Sequence, residues 1–378
     1  MKIIAAVYSH PEYYPPTLNA VKALAASIEH VEIVFRNVKI DECIYPNNIT
    51  LKKSGAFKKI RETETASYFW KLKSFFQFTL LLFHTLKKNR PKWLIVYDPI
   101  PLLSYRLISP FLKNKPKLWY HNHDVLEMNR LKKYSISWFS HYSEQRSFSK
   151  IDLFTLPSEE RKVYFPIQKL KGKYFFLPNY PAISMLKKPQ QLVAKEPLKF
   201  IYQGHIGIGH GLDNIIKYIS KKSRHITLTL IGNTDIDYER YLKSLIEQLN
   251  LTNHIKILEP MPYEELILLT SRHHIGLAIH EPINIAFKTA ATSSNKIYEY
   301  IACGLPVFLF DSKEYKSKLD EKKWAFFTDL SFENLDKNIH HIISHYGDFS
   351  ESAINDFRCK FHFEKHFANI LFYILNKN

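Results

Sequence analysis

Short apolar runs alternate with amphipathic stretches along most of this chain, the pattern of a parallel α/β sheet covered on both faces. Residues 2–8 predict a buried strand, 9–16 a loop, 17–29 a helix and 31–35 a second strand. Further strands are predicted at 93–97, ending at Asp98 with a helix from Pro101, at 117–120, ending in His121-Asn122-His123-Asp124, and at 152–156. The alternation lapses over 182–196, where Lys187-Lys188-Pro189-Gln190-Gln191 is polar and aperiodic, and this stretch reads as a linker. It restarts with strands at 198–203, 225–231, 254–258 and 274–279, and with helices ending at Ser220 and covering 237–249 and 262–270. Such a restart predicts two similar α/β domains, 1–190 and 191–355, with the aromatic-rich end, 356–378, as terminal helix. After Phe310 the pattern reads as helical throughout.

The most informative stretch runs from Thr292 to Phe310. Ser293 or Ser294 suits a helix N-cap, Lys296 to Cys303 continue the helix, Gly304 suits its left-handed end, and Pro306 stops it before a buried strand. The first turn, at Ser294, Asn295, Lys296 and Ile297, offers unpaired N–H groups and a positive dipole end, which with the Lys296 ammonium suit a diphosphate. Glu299, about one turn on, suits two adjacent sugar hydroxyls. The same residues also fit a capped core helix with Ile297, Tyr300 and Ile301 turned inward. Upstream, Gly204, Gly207, Gly209 and Gly211 place four glycines in eight residues, either a backbone cradle for phosphate or a tight turn without a ligand. The loop at 9–16 has no glycine, which excludes a G-x-G-x-x-G dinucleotide site there.

The run Ser294-Asn295-Lys296-x-x-Glu299-Tyr300-x-x-x-Gly304-x-Pro306-Val307 resembles the nucleotide-sugar site of retaining glycosyltransferases of the GT-B fold, family 4 or group 1. The resemblance covers most of the chain, with its specific residues concentrated in 198–212 and 284–310. It implies an α/β fold of two facing Rossmann-like domains, with C-terminal helices packing back on the first. It also implies transfer of a sugar from a nucleotide-diphosphate sugar to a hydroxyl of a glycan or lipid-linked acceptor, as in cell-surface polysaccharide synthesis, with no cofactor beyond that substrate. By the same resemblance Glu299 holds the donor ribose, and Gly204, His205, Gly207 and His210 face the diphosphate with Lys296. His123 positions the transferred sugar or the acceptor, although a histidine merely hydrogen-bonded at a strand end fits the same place.

The chain departs from the family pattern at His205 and His210, where basic residues are usual, and at Ala291, where many members carry a second glutamate. Glu281 and Asn284 are candidates to replace that glutamate. A different chemistry on the same architecture, such as a nucleotide-sugar epimerase, stays open. So does a non-catalytic nucleotide-sugar or membrane-binding protein, which Ala291 favours.

Charge adds a partner. The net charge is +17, and residues 1–190 hold 31 Lys+Arg against 14 Asp+Glu while residues 191–378 hold 22 of each. The whole excess lies in the first half, which suits an anionic membrane surface or lipid-linked acceptor. No nucleic-acid recognition motif accompanies it. Lysines and arginines between Lys52 and Lys92 surround the apolar run 75–83, which fits either a crossover helix or an interfacial one and is too short to cross a bilayer. Cys43, Cys303 and Cys359 are odd in number and widely spaced, as expected of a cytoplasmic protein without a disulfide framework or zinc site. The His-x-His-Asp run at 121–124 lacks a matching ligand cluster, and no metal is expected. Together these features place the chain in the cytoplasm, peripheral to the inner face of the membrane.

Overall fold

The computed structural model describes residues 1–186, 197–222 and 225–376. The chain divides into two compact units, Met1–Asn179 with His366–Asn378, and Tyr180–Lys365. The boundary expected at 190 lies outside the described residues.

The first unit holds β1 (Lys2–Val7), β2 (His30–Arg36), β3 (Ile49–Ser54), β4 (Trp93–Tyr97), β5 (Lys117–His121), β6 (Leu153–Leu156) and β7 (Lys173–Phe176). They form one parallel sheet in the order β3-β2-β1-β4-β5-β6-β7. Apolar residues occupy successive positions of β1 and β4 because helices cover both faces; Ile3 to Val7 and Trp93 to Tyr97 are buried. Lys52 and Lys53, expected in the basic helical stretch, lie instead in β3, exposed and paired in register with Val34 and Phe35. The rest of that stretch is mainly the helix Tyr68–Asn89, which turns Phe75, Phe78, Leu82 and Leu86 into the core. Its outer side keeps Phe69, Phe76 and Leu80 exposed at 82%, 54% and 55%. The last helix, Phe363–Asn376, adds Phe367 beside Trp119 and Tyr373 beside Trp93 and Phe175.

The second unit holds β8 (Leu198–Gln203), β9 (Ile226–Ile231), β10 (Ile255–Leu258), β11 (Ile275–Ala278), β12 (Val307–Phe310) and β13 (Ala325–Thr328). These too are parallel, in the order β10-β9-β8-β11-β12-β13. β13 corrects the expectation that everything after Phe310 is helical. β3 and β13 are both sheet edges, where one side of the ladder is open and the apolar run is short or broken by polar residues. Residues 281–291 contain the short helix Ile285–Lys288 and the start of another, Ala290–Ser293. In each sheet the strand order reverses beside the first strand of the unit, between β1 and β4 and between β8 and β11. The loops leaving the carboxyl ends of those strands are where doubly wound sheets bind ligands.

Candidate active site

In the second unit the glycine-rich loop leaves β8 and the helix Asn295–Ala302 stands beside it. Gly204 N–H donates to Ile231 O at 2.9 Å and Ile206 N–H to Asn233 O at 2.8 Å, zipping this loop to the one after β9. A Cβ on Gly232 would stand 1.8 Å from Gly204 O, so this approach requires glycine there. Lys296 reaches under the loop. Its Nζ donates to Tyr202 Oη at 2.9 Å and would lie 3.3 Å from a Cβ at Gly204. Burial pulls the Lys296 pKa down to about 7, with Glu299 pulling the other way. A diphosphate beside this amine would restore its charge.

Ser294 occupies the N-cap position of the helix but makes no side-chain capping bond, and Gly304 ends it with a φ of 73°. Asn295 Oδ1 is buried without a hydrogen-bond partner among the described residues, one position before Lys296. Such an atom is costly to leave unpaired, and a donor group on a bound ligand would satisfy it. The side chain of Ile297 is fully buried in the core, so only its backbone can serve a ligand.

The two histidines of the loop differ. His205 is exposed and lies 3.2 Å from Asp235 through Nε2, with Gly207 against the pair. His210 is buried, and its Nδ1 donates to Ile279 O at 3.0 Å. Burial, with Lys296 close by, pulls the His210 pKa to about 3, so the ring is neutral and Nε2 keeps an acceptor lone pair. His210 therefore suits a ligand hydroxyl better than a phosphate oxygen, and the positive charge rests on Lys296. His280 packs behind it, with Nδ1 2.9 Å from Ala278 O and 2.8 Å from Tyr315 Oη.

Glu299 is buried, and both of its oxygens are engaged. Tyr263 Oη donates to Oε1 at 2.8 Å and Gln203 Nε2 donates to Oε2, while Thr270 Oγ1 holds Gln203 Oε1 at 2.7 Å. Burial raises the carboxyl pKa, and the donors from Tyr263 and Gln203 and the charge of Lys296 oppose that shift. Each oxygen retains a further lone pair for a hydroxyl. Ala291 is buried, and its carbonyl accepts from Tyr298 Oη. Of the two candidates for the missing glutamate, Asn284 is spent as the cap of Ile285–Lys288, its Oδ1 accepting from Phe287 N–H at 2.7 Å. Glu281 is tied to the loop by its N–H donating to Gly209 O at 2.8 Å, and its carboxylate makes no hydrogen bond among the described residues.

In the first unit His123 sits at the carboxyl end of β5. Nδ1 lies 2.8 Å from Asp98 Oδ2, Nε2 lies 2.9 Å from Thr17 Oγ1, and Arg161 donates to the His123 carbonyl. His121 and His123 do not form a metal pair, because both His123 nitrogens are used; His121 Nδ1 bonds Thr155 Oγ1 at 2.8 Å and its buried Nε2 has no partner among the described residues. The chain contains one Asp-x-Asp, Asp235-Ile236-Asp237, in which Asp235 faces His205 and Asp237 faces Arg240. Among the described residues His10, Glu12 and Asp41 bring ligand atoms within 4.8 Å of one another. They do not fit a cation: Lys39 and Lys53 neutralise the carboxylates, and His10 Nδ1 already accepts from Glu12 N–H.

Residues 185–354 match the family model described as glycosyl transferases group 1. They form a group 1 glycosyltransferase domain. No curated protein sequence matches the chain significantly. Among solved structures, sucrose-phosphate synthase from Thermosynechococcus elongatus is similar at a TM-score of 0.72 and 13% identity, over 98% of this chain and 97% of its own. HepE from Anabaena, solved in complex with UDP-glucose, aligns at a TM-score of 0.68 and 14% identity over 100% of both chains. A glycosyltransferase from Rickettsia africae aligns at a TM-score of 0.68 and 15% identity, over 100% of this chain and 99% of its own. These likenesses show the two-unit α/β architecture of GT-B proteins.

The glycosyltransferase domain thus gathers Gly204, His210, Lys296 and Glu299 around Tyr202 and Gln203, with His205 and Gly207 at the outer side of the loop. His123 belongs to the other unit. Tyr202, Gln203, Tyr263 and His280 escape a reading of the sequence because strand and helix periodicity assigns them to the core. Their polar atoms are the only trace, since a buried hydroxyl or amide requires a partner. Asp98 and Arg161 carry a weak signal: the first closes an apolar strand, and the second is a cation in a region that folds inward.

Proposed function

We propose that the chain is a retaining glycosyltransferase that moves a sugar from a nucleotide-diphosphate sugar to a hydroxyl of a glycan or lipid-linked acceptor in cell-surface polysaccharide synthesis. The observation that carries this reading is Lys296, a half-buried lysine whose amine lies under a glycine-rich loop and beside a helix N-terminus, within a group 1 glycosyltransferase domain. The bond between the anomeric carbon and the diphosphate oxygen breaks, and Lys296 with the first-turn N–H groups stabilises the charge developing on the leaving phosphate. The acceptor hydroxyl attacks from the same face and passes its proton to the departing oxygen, so configuration is retained without a covalent carboxylate intermediate. Glu299 and the acceptor lone pair of His210 hold donor hydroxyls, and Glu281 takes the place of the glutamate absent at 291. No step in this scheme uses a metal.

Structures of the HepE protein hold UDP and UDP-glucose, which makes uridine nucleotide sugars the first donors to try. A screen of nucleotide sugars for thermal stabilisation, followed by calorimetry on Lys296→Ala and Glu299→Ala, tests the reading. Unchanged donor affinity in both variants would sink the site. Ala291 favours a second reading, a nucleotide-sugar-binding protein without transfer activity; a donor that binds but is neither transferred nor hydrolysed supports it.

The acceptor side is basic, and the exposed Phe69, Phe76 and Leu80 share a helix with Lys71, Lys73, Lys87 and Lys88. No helix among the described residues is long and apolar enough to cross a membrane. We read this helix as interfacial and propose that the enzyme works at the cytoplasmic face of an anionic membrane.

A further inference from the structure

We propose that the group of the first unit that meets an acceptor hydroxyl is the Asp98 carboxylate, and that His123 is the positioning residue behind it. The proposal rests on the first unit being the acceptor side and moves to Asp98 the contact that the resemblance gives to His123.

His123 has no free edge. Its side chain is 5% exposed, against 30% for Asp98. Tyr14 stacks on the ring at 4.8 Å and Tyr97 at 5.4 Å, and His121 meets it at 4.6 Å. Nε2 is taken by Thr17, itself fully buried, and Nδ1 by Asp98. A carboxylate only accepts, so Nδ1 carries the proton and donates to Asp98 Oδ2; in the neutral ring Nε2 accepts from the Thr17 hydroxyl.

Asp98 is the outward member of this trio. The His123 backbone N–H donates to Oδ1 at 2.7 Å, so one residue grips both oxygens and fixes the plane of the carboxylate. Each oxygen keeps a lone pair for a second donor. The Asp98 backbone has a φ of 69° and ψ of 168°, a conformation that side-chain-bearing residues rarely adopt, and its N–H is anchored to His121 O at 2.8 Å. Strain of this kind persists where the surroundings impose it, and it falls at the strand end where this sheet class binds ligands. A fixed carboxylate there accepts a hydrogen bond from a sugar hydroxyl and aims its oxygen, without needing to remove the proton.

Two substrate-free measurements test the assignment, and neither depends on the donor reading. Carbodiimide with glycine ethyl ester should modify Asp98, and diethyl pyrocarbonate should modify the exposed His205 and spare His123. Modification of His123 as fast as His205, with Asp98 untouched, overturns the proposal. Nitrogen-15 NMR of the imidazoles should show the proton of His123 on Nδ1. In Asp98→Asn the fixed backbone N–H claims the amide oxygen, so the NH2 group faces Nδ1 and the proton should move to Nε2; a proton that stays on Nδ1 overturns the positioning role. In transfer to alkyl glycosides, Asp98→Asn and His123→Ala should each lose at least about tenfold in kcat/KM. His123→Asn retains a donor near the Nδ1 position and should recover most of it; an Asn variant as impaired as the Ala variant counts against the proposal. Absence of transfer by the unmodified enzyme refutes the proposed function, while the labelling and NMR results still decide this one.

Discussion

Raising the pH above about 7 should weaken donor binding, because the cation that meets the diphosphate is Lys296, whose pKa burial lowers from 10.5 to about 7. A bound nucleotide sugar favours the ammonium and raises its pKa again, so below pH 7 the amine is already charged and binding takes up little proton. Above pH 7 the free protein has lost that proton and must regain it on binding. Each further pH unit then costs roughly tenfold in apparent Kd. Proton uptake per donor bound should be about 0.2 at pH 6.5 and about 0.9 at pH 8. His210 and His280, held neutral by burial, and Tyr202, held protonated by burial, do not change charge in this window. The charge that acts on this amine within the site is that of Glu299, and it favours the ammonium. Calorimetry in phosphate and Tris, whose ionisation enthalpies differ, reads the uptake directly. Lys296→Arg should bind with little pH dependence. An affinity that stays flat from pH 6.5 to 8.5 in the unmodified protein, without proton uptake, would refute the assignment of Lys296 to the diphosphate.

Glu299→Ala strands the Gln203 amide and the Tyr263 hydroxyl, at about 1–3 kcal/mol for each buried donor left unpaired, and urea unfolding should register it. Glu299→Gln should weaken the donor site with a smaller loss of stability, so a Gln variant that binds donor normally would confine Glu299 to a structural role. Gly232→Ala forces a Cβ to 1.8 Å from Gly204 O and should abolish donor binding. Gly204→Ala meets only the flexible end of Lys296 at 3.3 Å, although at a φ of 117°, and should be milder; equal effects would argue against the loop as the phosphate wall. Flotation with anionic liposomes at low salt should carry the protein, and Phe69→Ser with Phe76→Ser should release it. Retention of that double variant would place the membrane contact elsewhere.

Much of this arrangement is legible in one dimension. Buried parallel strands need apolar residues at successive positions, so β1, β4, β8 and β12 stand out. The helix before β12 announces itself through Gly304 and Pro306, whose backbone preferences leave few alternatives. β3 and β13 do not stand out: an edge strand needs less apolar surface, and Lys52 and Lys53 resemble a solvated helix as readily as an edge. The site shows the same division. Lys296 and Glu299 stand in a long ordered motif, whereas their partners arrive from β8 and from the helix Tyr263–Thr270, separated by tens of residues and marked as core by periodicity.

The sequence by itself determined the two α/β repeats, the glycine-rich loop, the motif around Lys296 and the basic first half, because each is a local pattern of backbone preference, hydropathy or charge. Only the tertiary structure decided which polar atoms are already spent. It tied His210 to a carbonyl, committed one lone pair of each Glu299 oxygen to Tyr263 and Gln203, and enclosed His123 between two tyrosines while leaving Asp98 partly exposed. Those outcomes depend on which side chains meet across strands and helices distant in the chain, and no spacing along the sequence encodes them.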